Sequence, residues 1–242
     1  MTARTAGPAR LWLCALSLWA FGAPPAAAEP PIAPAYLEHQ LAAIGHVAGR
    51  RPAPGAGTGM GGCTGTLIDA DLVLTAAHCA AGRVRNPEDL YITFGWRRDG
   101  PPLWRGTAAE VILSPGYRPG NHALESLPHD LALIRLPRPV PAELVTPIPL
   151  VAADGTEASF SVYGYLADAD TVLRGYSDCP ATQLAEALLG LSCTVQSGFS
   201  GGPVIAQTVD GAVVAAVAVA NIPGRQTGIR SIAAIPPPEF VP

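Results

Sequence analysis

Short apolar runs alternate with Gly, Pro and polar residues along most of this chain, which is the pattern of strands joined by tight turns. The runs that we assign as strands are 72–75, 91–94, 109–113, 131–136, 159–165 and 213–219. The last lies within an uninterrupted apolar stretch, 212–220, which is far too short to cross a bilayer and predicts a strand buried on both faces. Only 182–189 has the spacing of a helix. The pattern predicts an all-β protein, built as a sandwich or a barrel.

A proline-rich segment, 137–141, interrupts this pattern near the middle of the chain. Proline has no amide hydrogen to donate to a central strand, so we predict an extended connector here. It separates two units of similar length, 29–140 and 141–242.

Residues 1–28 have a different pattern from the rest. Arg4 and Arg10 precede the apolar run 11–22, and the alanines at 26–28 lead into Glu29. A basic start, an apolar middle and a small-residue end are typical of a secretory signal peptide. The apolar run is too short for an ordinary membrane span, so we expect cleavage, no membrane association afterwards, and a secreted or periplasmic protein. An uncleaved N-terminal anchor is the alternative.

Composition and charge exclude several other classes. The chain is 49% hydrophobic and 14% charged, which excludes a disordered protein, and it has neither a glycine period nor heptads. The formal net charge is -4 and no long run of like charges occurs, so we expect no nucleic acid and no anionic membrane as partner. All 15 basic residues are Arg, which together with the abundant Ala, Gly and Pro indicates a GC-rich bacterial genome.

Export would place Cys63, Cys79, Cys179 and Cys193 in an oxidising compartment, where four cysteines are expected to form two disulfides. Three pairings are possible, and the residues alone leave all three open. A zinc site is the competing explanation, but no pair has the close C-x2-C or H-x3-H spacing that such sites favour. We therefore expect no metal and no cofactor.

Three segments carry residues suited to acyl-transfer chemistry. His78 ends an apolar run and can act as a base, and Asp130 stands at the mouth of the apolar strand 131–136. Ser200 is framed by glycines whose bare amides can stabilise an oxyanion. Each also has an ordinary explanation when taken singly: a hydrogen-bonded histidine, a strand-start aspartate and a Gly–Ser turn.

The order of these residues along the chain separates two classes of hydrolase. The segment 198–202 also fits the G-x-S-x-G motif of α/β-hydrolases, but those enzymes place their His after the Ser. All five His of this chain precede Ser200, so that interpretation fails. The order His78, Asp130, Ser200 is instead that of chymotrypsin.

The sequence around these residues is similar to the trypsin/chymotrypsin-like serine peptidases. The matching segments are CTGTLI at 63–68, LTAAHC at 74–79, DLAL at 130–133 and SGGPV at 200–204. The resemblance implies two antiparallel β-barrels with the active site in the cleft between them. The barrel 29–140 would carry His78 and Asp130, and the barrel 141–242 would carry Ser200.

The resemblance also implies a role for each residue. Ser200 attacks a peptide carbonyl, His78 takes and later returns the proton, and Asp130 orients the imidazole. The amides of Gly198 and Ser200 form the oxyanion hole. The expected protein is a monomeric serine endopeptidase that hydrolyses protein or peptide substrates through an acyl-enzyme. The disulfides implied by the family pattern are Cys63–Cys79 and, with it, Cys179–Cys193.

The chain departs from the family pattern at the residue before the nucleophile. Phe199 stands where the family usually has an Asp, which in the animal enzymes pairs with a new N-terminus after zymogen cleavage. No clear activation site is present, since 44–46 resembles only the first strand of bacterial relatives, so we expect an enzyme that is active once the signal peptide is removed. Phe199 also keeps a second hypothesis open, a catalytically impaired peptidase-like binding protein with an unformed oxyanion hole.

The predicted specificity pocket departs as well. Thr194 stands where trypsin has the Asp of the pocket floor, so cleavage after Arg or Lys has no support. The predicted wall, Ala218, Val219 and Ala220, carries only small and medium apolar side chains. We therefore predict small or medium apolar residues before the scissile bond, with ordinary packing as the competing explanation for this wall.

Overall fold

The computed structural model describes residues 30–33, 37–49, 62–96, 100–151, 159–167, 172–222, 228–240 and 242. The predicted signal peptide, 1–28, lies outside the described residues. Within these ranges no helix is long and apolar enough to cross a membrane.

The described elements are almost all strands. They are β1 (Ile44–Gly49), β2 (Cys63–Asp69), β3 (Leu72–Thr75), β4 (Leu90–Phe94), β5 (Trp104–Thr107), β6 (Glu110–Leu113), β7 (Ala132–Arg135), β8 (Ser159–Gly164), β9 (Arg174–Ala185), β10 (Leu188–Leu191), β11 (Pro203–Thr208), β12 (Gly211–Asn221) and β13 (Ser231–Ala234). One α-helical turn, α1, spans Ala77–Ala80. Short 3-10 turns occupy Ala81–Arg83, Pro87–Asp89, Leu124–His129 and Pro238–Phe240.

The strands form two antiparallel sheets. The first is a curled sheet in the order β5-β4-β1-β2-β3-β7-β6. The second closes into a six-stranded barrel in the order β10-β13-β12-β11-β8-β9. This confirms the predicted fold class, an all-β protein with the two-barrel architecture of chymotrypsin-like proteins. The strands of the first sheet end before the proline-rich segment 137–141 and those of the barrel begin after it, while a domain boundary at 140 itself stays a prediction.

Strand β12 confirms the prediction of a strand buried on both faces. Residues 213–219 are all buried. Their side chains divide between two buried clusters, because Val214 and Val217 pack into the larger cluster shared with the first sheet, whereas Val213 and Ala215 pack into the core of the barrel. A continuous apolar run is therefore needed at a strand that lies between two cores.

The predicted helix at 182–189 is wrong. This segment forms the end of β9 and the start of β10, and Thr182 pairs with Gly190 across that hairpin. The Cys179–Cys193 disulfide closes the same hairpin. Helical spacing of its leucines is overridden because a segment this short gains more from antiparallel neighbours than from an isolated helical turn.

Residues 30–33 lie along the start of β9. Ile32 forms a bridge with Arg174, whose guanidinium donates to the Pro30 carbonyl at 2.9 Å. The Ala33 amide donates to Leu173 at 2.9 Å. The first described residues are thus attached to the start of β9 in the closed barrel.

Candidate active site

His78 and Asp130 come together where β3 and β7 lie side by side. Thr75 at the end of β3 pairs with Ala132 at the start of β7. The residues just beyond these two strand ends are therefore neighbours. The chain leaves β3 through an extended residue, Ala76, and turns at once into α1, which carries His78.

Both carboxylate oxygens of Asp130 bind His78. Oδ2 lies 2.6 Å from the ring nitrogen Nδ1, and Oδ1 accepts the backbone N–H of His78 at 2.9 Å. An ionised carboxylate can only accept, so Nδ1 carries the hydrogen and Nε2 keeps a lone pair. The Asp130 side chain is 10% exposed, whereas the His78 side chain is 34% exposed. The imidazole is thus fixed by a buried carboxylate while part of the ring stays accessible.

Tyr117 belongs to the surroundings of this pair, although sequence analysis did not single it out. Burial, and secondarily the negative charge of Asp130, raise the pKa of the Tyr117 phenol. The phenol therefore stays protonated over the working range of an enzyme. No sequence signal marks it, because it lies in the loop between β6 and β7, outside the three segments that carry His78, Asp130 and Ser200.

The loop that carries Ser200 is bound tightly to β12. The Gly201 amide donates to the Ala218 carbonyl at 2.8 Å, and the Ala218 amide donates to Gly202 at 2.9 Å. Gly198 and Gly201 have positive φ angles of 100° and 82°, which side chains on L-residues disfavour. Glycine is therefore required at both positions for the backbone path around Ser200.

The same loop contacts the first sheet. The Ser200 carbonyl accepts the Thr64 amide of β2 at 2.9 Å. It also lies 3.6 Å from the sulfur of Cys79, which is in a disulfide and so touches it by packing only. Because Cys79 follows His78 directly, these contacts bring the predicted nucleophile loop to the region of the predicted base.

The amides predicted to form the oxyanion hole are available. Among the described residues, neither the Gly198 nor the Ser200 N–H donates a hydrogen bond to the protein. The peptide bond between Ser197 and Gly198 is oriented through its carbonyl, because the Ser197 carbonyl accepts the Ala167 amide at 3.0 Å. A planar trans peptide points its N–H away from its carbonyl, so this bond turns the Gly198 N–H away from Ala167.

Phe199 turns into the core of the barrel. It is fully buried within the cluster that contains Val162 and Leu189. A Cβ on Gly164 would lie only 2.7 Å from the Phe199 ring, so the two residues are in close contact. The residue before the predicted nucleophile is thus anchored by packing within a cluster of apolar side chains.

The disulfides of the structure are Cys63–Cys79 and Cys179–Cys193, with Cα–Cα distances of 6.1 and 5.5 Å. The first joins the start of β2 to α1 beside His78. A ring nitrogen of His78 and the two sulfurs lie within 4.8 Å of one another, a grouping that could suggest a metal site. Sulfurs bonded to each other are not thiolate ligands, so here the grouping is a disulfide packed against the imidazole.

The residues predicted to form the specificity pocket lie on two elements. Ala218 is buried on β12 and holds the nucleophile loop, and a bulge follows it before Ala220. Val219 between them is also buried. Thr194 is half-buried and directly follows Cys193, whose carbonyl accepts the hydroxyl of a β13 serine at 2.8 Å. Their role in substrate selection stays a prediction.

Gly201→Ala is expected to lower the free energy of unfolding by about 3 kcal/mol or more. A Cβ here would lie 2.1 Å from Thr75 Oγ1 and 2.2 Å from the Thr64 carbonyl oxygen. Gly211→Ala is the matched control, because Gly211 has a φ of 124° but open space around its Cβ position. Gly211→Ala should be destabilised by backbone strain alone, by about 1–3 kcal/mol, and by less than Gly201→Ala. Urea unfolding measures both, and equal losses would contradict the tight contact between the sheets.

The comparison with protein families agrees with this architecture. A family model described as Trypsin matches residues 47–234, from within β1 to the end of β13. A search of curated proteins finds none that matches the chain. The two-sheet fold and the family match define the class, a serine peptidase domain. The chain belongs to the trypsin family.

Proposed function

We propose that the protein is a secreted serine endopeptidase that cleaves peptide bonds through His78, Asp130 and Ser200. The observation that carries this proposal is the double hydrogen bond from His78 to the buried Asp130 carboxylate. It holds the imidazole as the tautomer that can accept a proton at Nε2. A histidine with only a structural role would not require a carboxylate that accepts hydrogen bonds from it through both oxygens.

The reaction follows from these roles. Ser200 Oγ forms a bond to the substrate carbonyl carbon while its proton passes to Nε2 of His78. The tetrahedral oxyanion is stabilised by the Gly198 and Ser200 amides. The C–N bond then breaks, and the leaving amine takes the proton from His78. A water molecule repeats the sequence on the acyl-enzyme, which releases the acid and restores Ser200.

Phe199 is the feature that favours the alternative, a binding protein with an unformed oxyanion hole. Its burial in the barrel core supports the enzyme instead, because the apolar anchor gives the loop a fixed position without a carboxylate. The unengaged amides of Gly198 and Ser200 support the same conclusion. No new N-terminus is then required, and we propose activity as soon as the signal peptide is removed.

For specificity we propose small or medium apolar residues before the scissile bond. Thr194 offers no negative charge to a basic side chain, and Ala218, Val219 and Ala220 offer an apolar wall. The two disulfides support an oxidising compartment, either the periplasm or the exterior of the cell.

Labelling with a fluorophosphonate probe tests the catalytic proposal without any knowledge of the substrate. We expect the mature protein to label at Ser200, and we expect Ser200→Ala and His78→Ala to remain unlabelled, because the serine is a poor nucleophile without its base. Ser197→Ala is the matched control, since Ser197 is an exposed serine of the same loop, and it should label as the wild type does. A folded wild-type protein that stays unlabelled would favour the binding protein.

A further inference from the structure

Thr64 of the first sheet donates two hydrogen bonds to the loop that carries Ser200, the predicted nucleophile loop. It lies in β2, one residue after Cys63, and is fully buried. Its backbone amide donates to the Ser200 carbonyl at 2.9 Å. Its own carbonyl accepts the Thr75 hydroxyl at 2.7 Å. The backbone of Thr64 is thus fixed on both sides.

The Thr64 hydroxyl makes two further bonds, both to the barrel. It donates to the Gly198 carbonyl at 2.7 Å and accepts the Tyr165 amide at 2.9 Å. A hydroxyl has one hydrogen and two lone pairs, so this one is used both as donor and as acceptor. All the contacts are buried, where a lost partner is costly because water cannot replace it.

Tyr165 is itself anchored to the first sheet at its far end. Its phenol donates to the Ile44 carbonyl at 3.2 Å, and its ring makes a T-shaped contact with the His46 ring. Burial raises the pKa of the Tyr165 phenol, so it stays a donor. The segment after β8 is therefore held against β1 and β2 rather than free to move with the barrel.

These bonds fix both peptides that flank the Gly198 Cα. The peptide after it is held by Thr64 at its carbonyl and by the Phe199 amide, which donates to Gln196 at 3.0 Å. The peptide before it is held through the Ser197 carbonyl by Ala167, two residues after Tyr165. Glycine at a φ of 100° has wide backbone freedom, so these bonds are what determines where its N–H points.

We propose that Thr64 is a positioning residue for the oxyanion hole, and that its hydroxyl orients the Gly198 peptide from the first sheet. This inference rests on the proposed peptidase function. The Thr64 hydroxyl is a donor that lies outside the loop, and it acts at a site where Phe199 can make no side-chain hydrogen bond. The hole is then complete only when the two sheets are docked.

Thr64→Val tests the hydroxyl because it keeps the shape of the side chain and removes both hydrogen bonds. We expect kcat on a peptide substrate to fall about 10- to 100-fold with KM changed less than about 3-fold, since a misplaced donor affects mainly the transition state. Binding of a peptide aldehyde, which forms a tetrahedral adduct, should weaken by a similar factor. Thr64→Ser keeps the hydroxyl and should recover most of kcat.

Thr66→Val is the matched control. Thr66 lies two residues along β2, is equally buried, and its hydroxyl has no hydrogen-bond partner among the described residues. The same loss of a hydroxyl should leave kcat and aldehyde binding unchanged. If Thr66→Val and Thr64→Val lower kcat equally, or if Thr64→Ser is as slow as Thr64→Val, the hydroxyl has no positioning role.

Amide hydrogen exchange gives a second measure that does not depend on activity. In Thr64→Val we expect faster exchange at Phe199 and Ala167, whose amides donate to the loop, and no change in Thr66→Val. Unchanged exchange at both amides overturns the inference whether or not the protein is an enzyme. A wild-type protein that neither labels nor cleaves refutes the proposed function alone, because the exchange experiment still decides the role of Thr64.

Discussion

Asp130→Asn is expected to lower kcat about 10⁴-fold with little change in KM. The Asp130 carboxylate accepts two hydrogens from His78, one from the ring and one from the backbone. An Asn amide has a single oxygen and an NH2 group that can only donate. If the oxygen stays on the backbone N–H, the NH2 faces Nδ1 and forces the ring hydrogen onto Nε2. His78 then has no lone pair with which to take the proton of Ser200.

The measurement is kcat and KM on one peptide substrate, with thermal unfolding beside it to show that the variant is folded. Asp71→Asn is the matched control, because the Asp71 side chain forms a surface ion pair with Arg135 at 3.5 Å and such pairs contribute little. We expect its kcat to equal that of the wild type. An Asp130→Asn enzyme that keeps more than about a tenth of kcat would refute the role of Asp130 in selecting the tautomer.

Six of the strands, β3, β4, β6, β7, β8 and β12, could be predicted from sequence because each contains a short run of apolar residues that pack into a core. The apolar run of β12 is continuous because it lies between two cores, and β3 is buried along its whole length up to the residue before α1. The hairpin of β9 and β10 could not be predicted, because its strands are specified by pairing with distant β8 and β13 and not by local periodicity. Local propensity favoured the wrong element there.

The candidate site also has parts that the sequence could predict and parts that it could not. His78, Asp130 and Ser200 could be predicted as site residues because each lies in a recognisable local segment and their order along the chain is informative. The hydrogen bond from Thr64 to Gly198 joins residues 134 positions apart, so no motif or spacing could reveal it. The sequence likewise indicated only that Phe199 is not an Asp. Where its side chain goes depends on the space left beside Gly164, which is a property of the folded barrel.

The two sheets therefore contribute different parts of the proposed mechanism. The first supplies the base, its carboxylate partner and the hydroxyl of Thr64, and the barrel supplies the nucleophile and the oxyanion amides. The Cys63–Cys79 disulfide joins β2 to α1 and so links the segment that carries Thr64 to the segment that carries His78. Displacing either segment would disturb both the base and the oxyanion hole.

Phe199→Asp, which restores the usual residue of the family, is expected to destabilise the protein by about 4 kcal/mol or more and not to raise kcat. The cluster around Phe199 is apolar, so the new carboxylate would be buried without a partner and the space of the ring would be left partly empty. Phe199→Leu is the matched control, because it changes the volume without adding a charge and should cost about half as much.

The pH dependence distinguishes the buried charge from the lost packing. Burial raises the pKa of a carboxyl in the folded state above its unfolded value, so the folded form of Phe199→Asp binds a proton more tightly than the unfolded form. The deficit in its free energy of unfolding relative to Phe199→Leu should therefore be smallest below pH 4 or so and grow as the pH rises. Urea unfolding at a series of pH values measures it. A deficit that does not change with pH would mean that the new carboxyl reaches solvent in the folded state. A deficit that shrinks as the pH rises would mean that a cation pairs with the carboxylate and lowers its pKa, and Arg174, which pairs with Gly164 across β8 and β9, is the first cation to substitute.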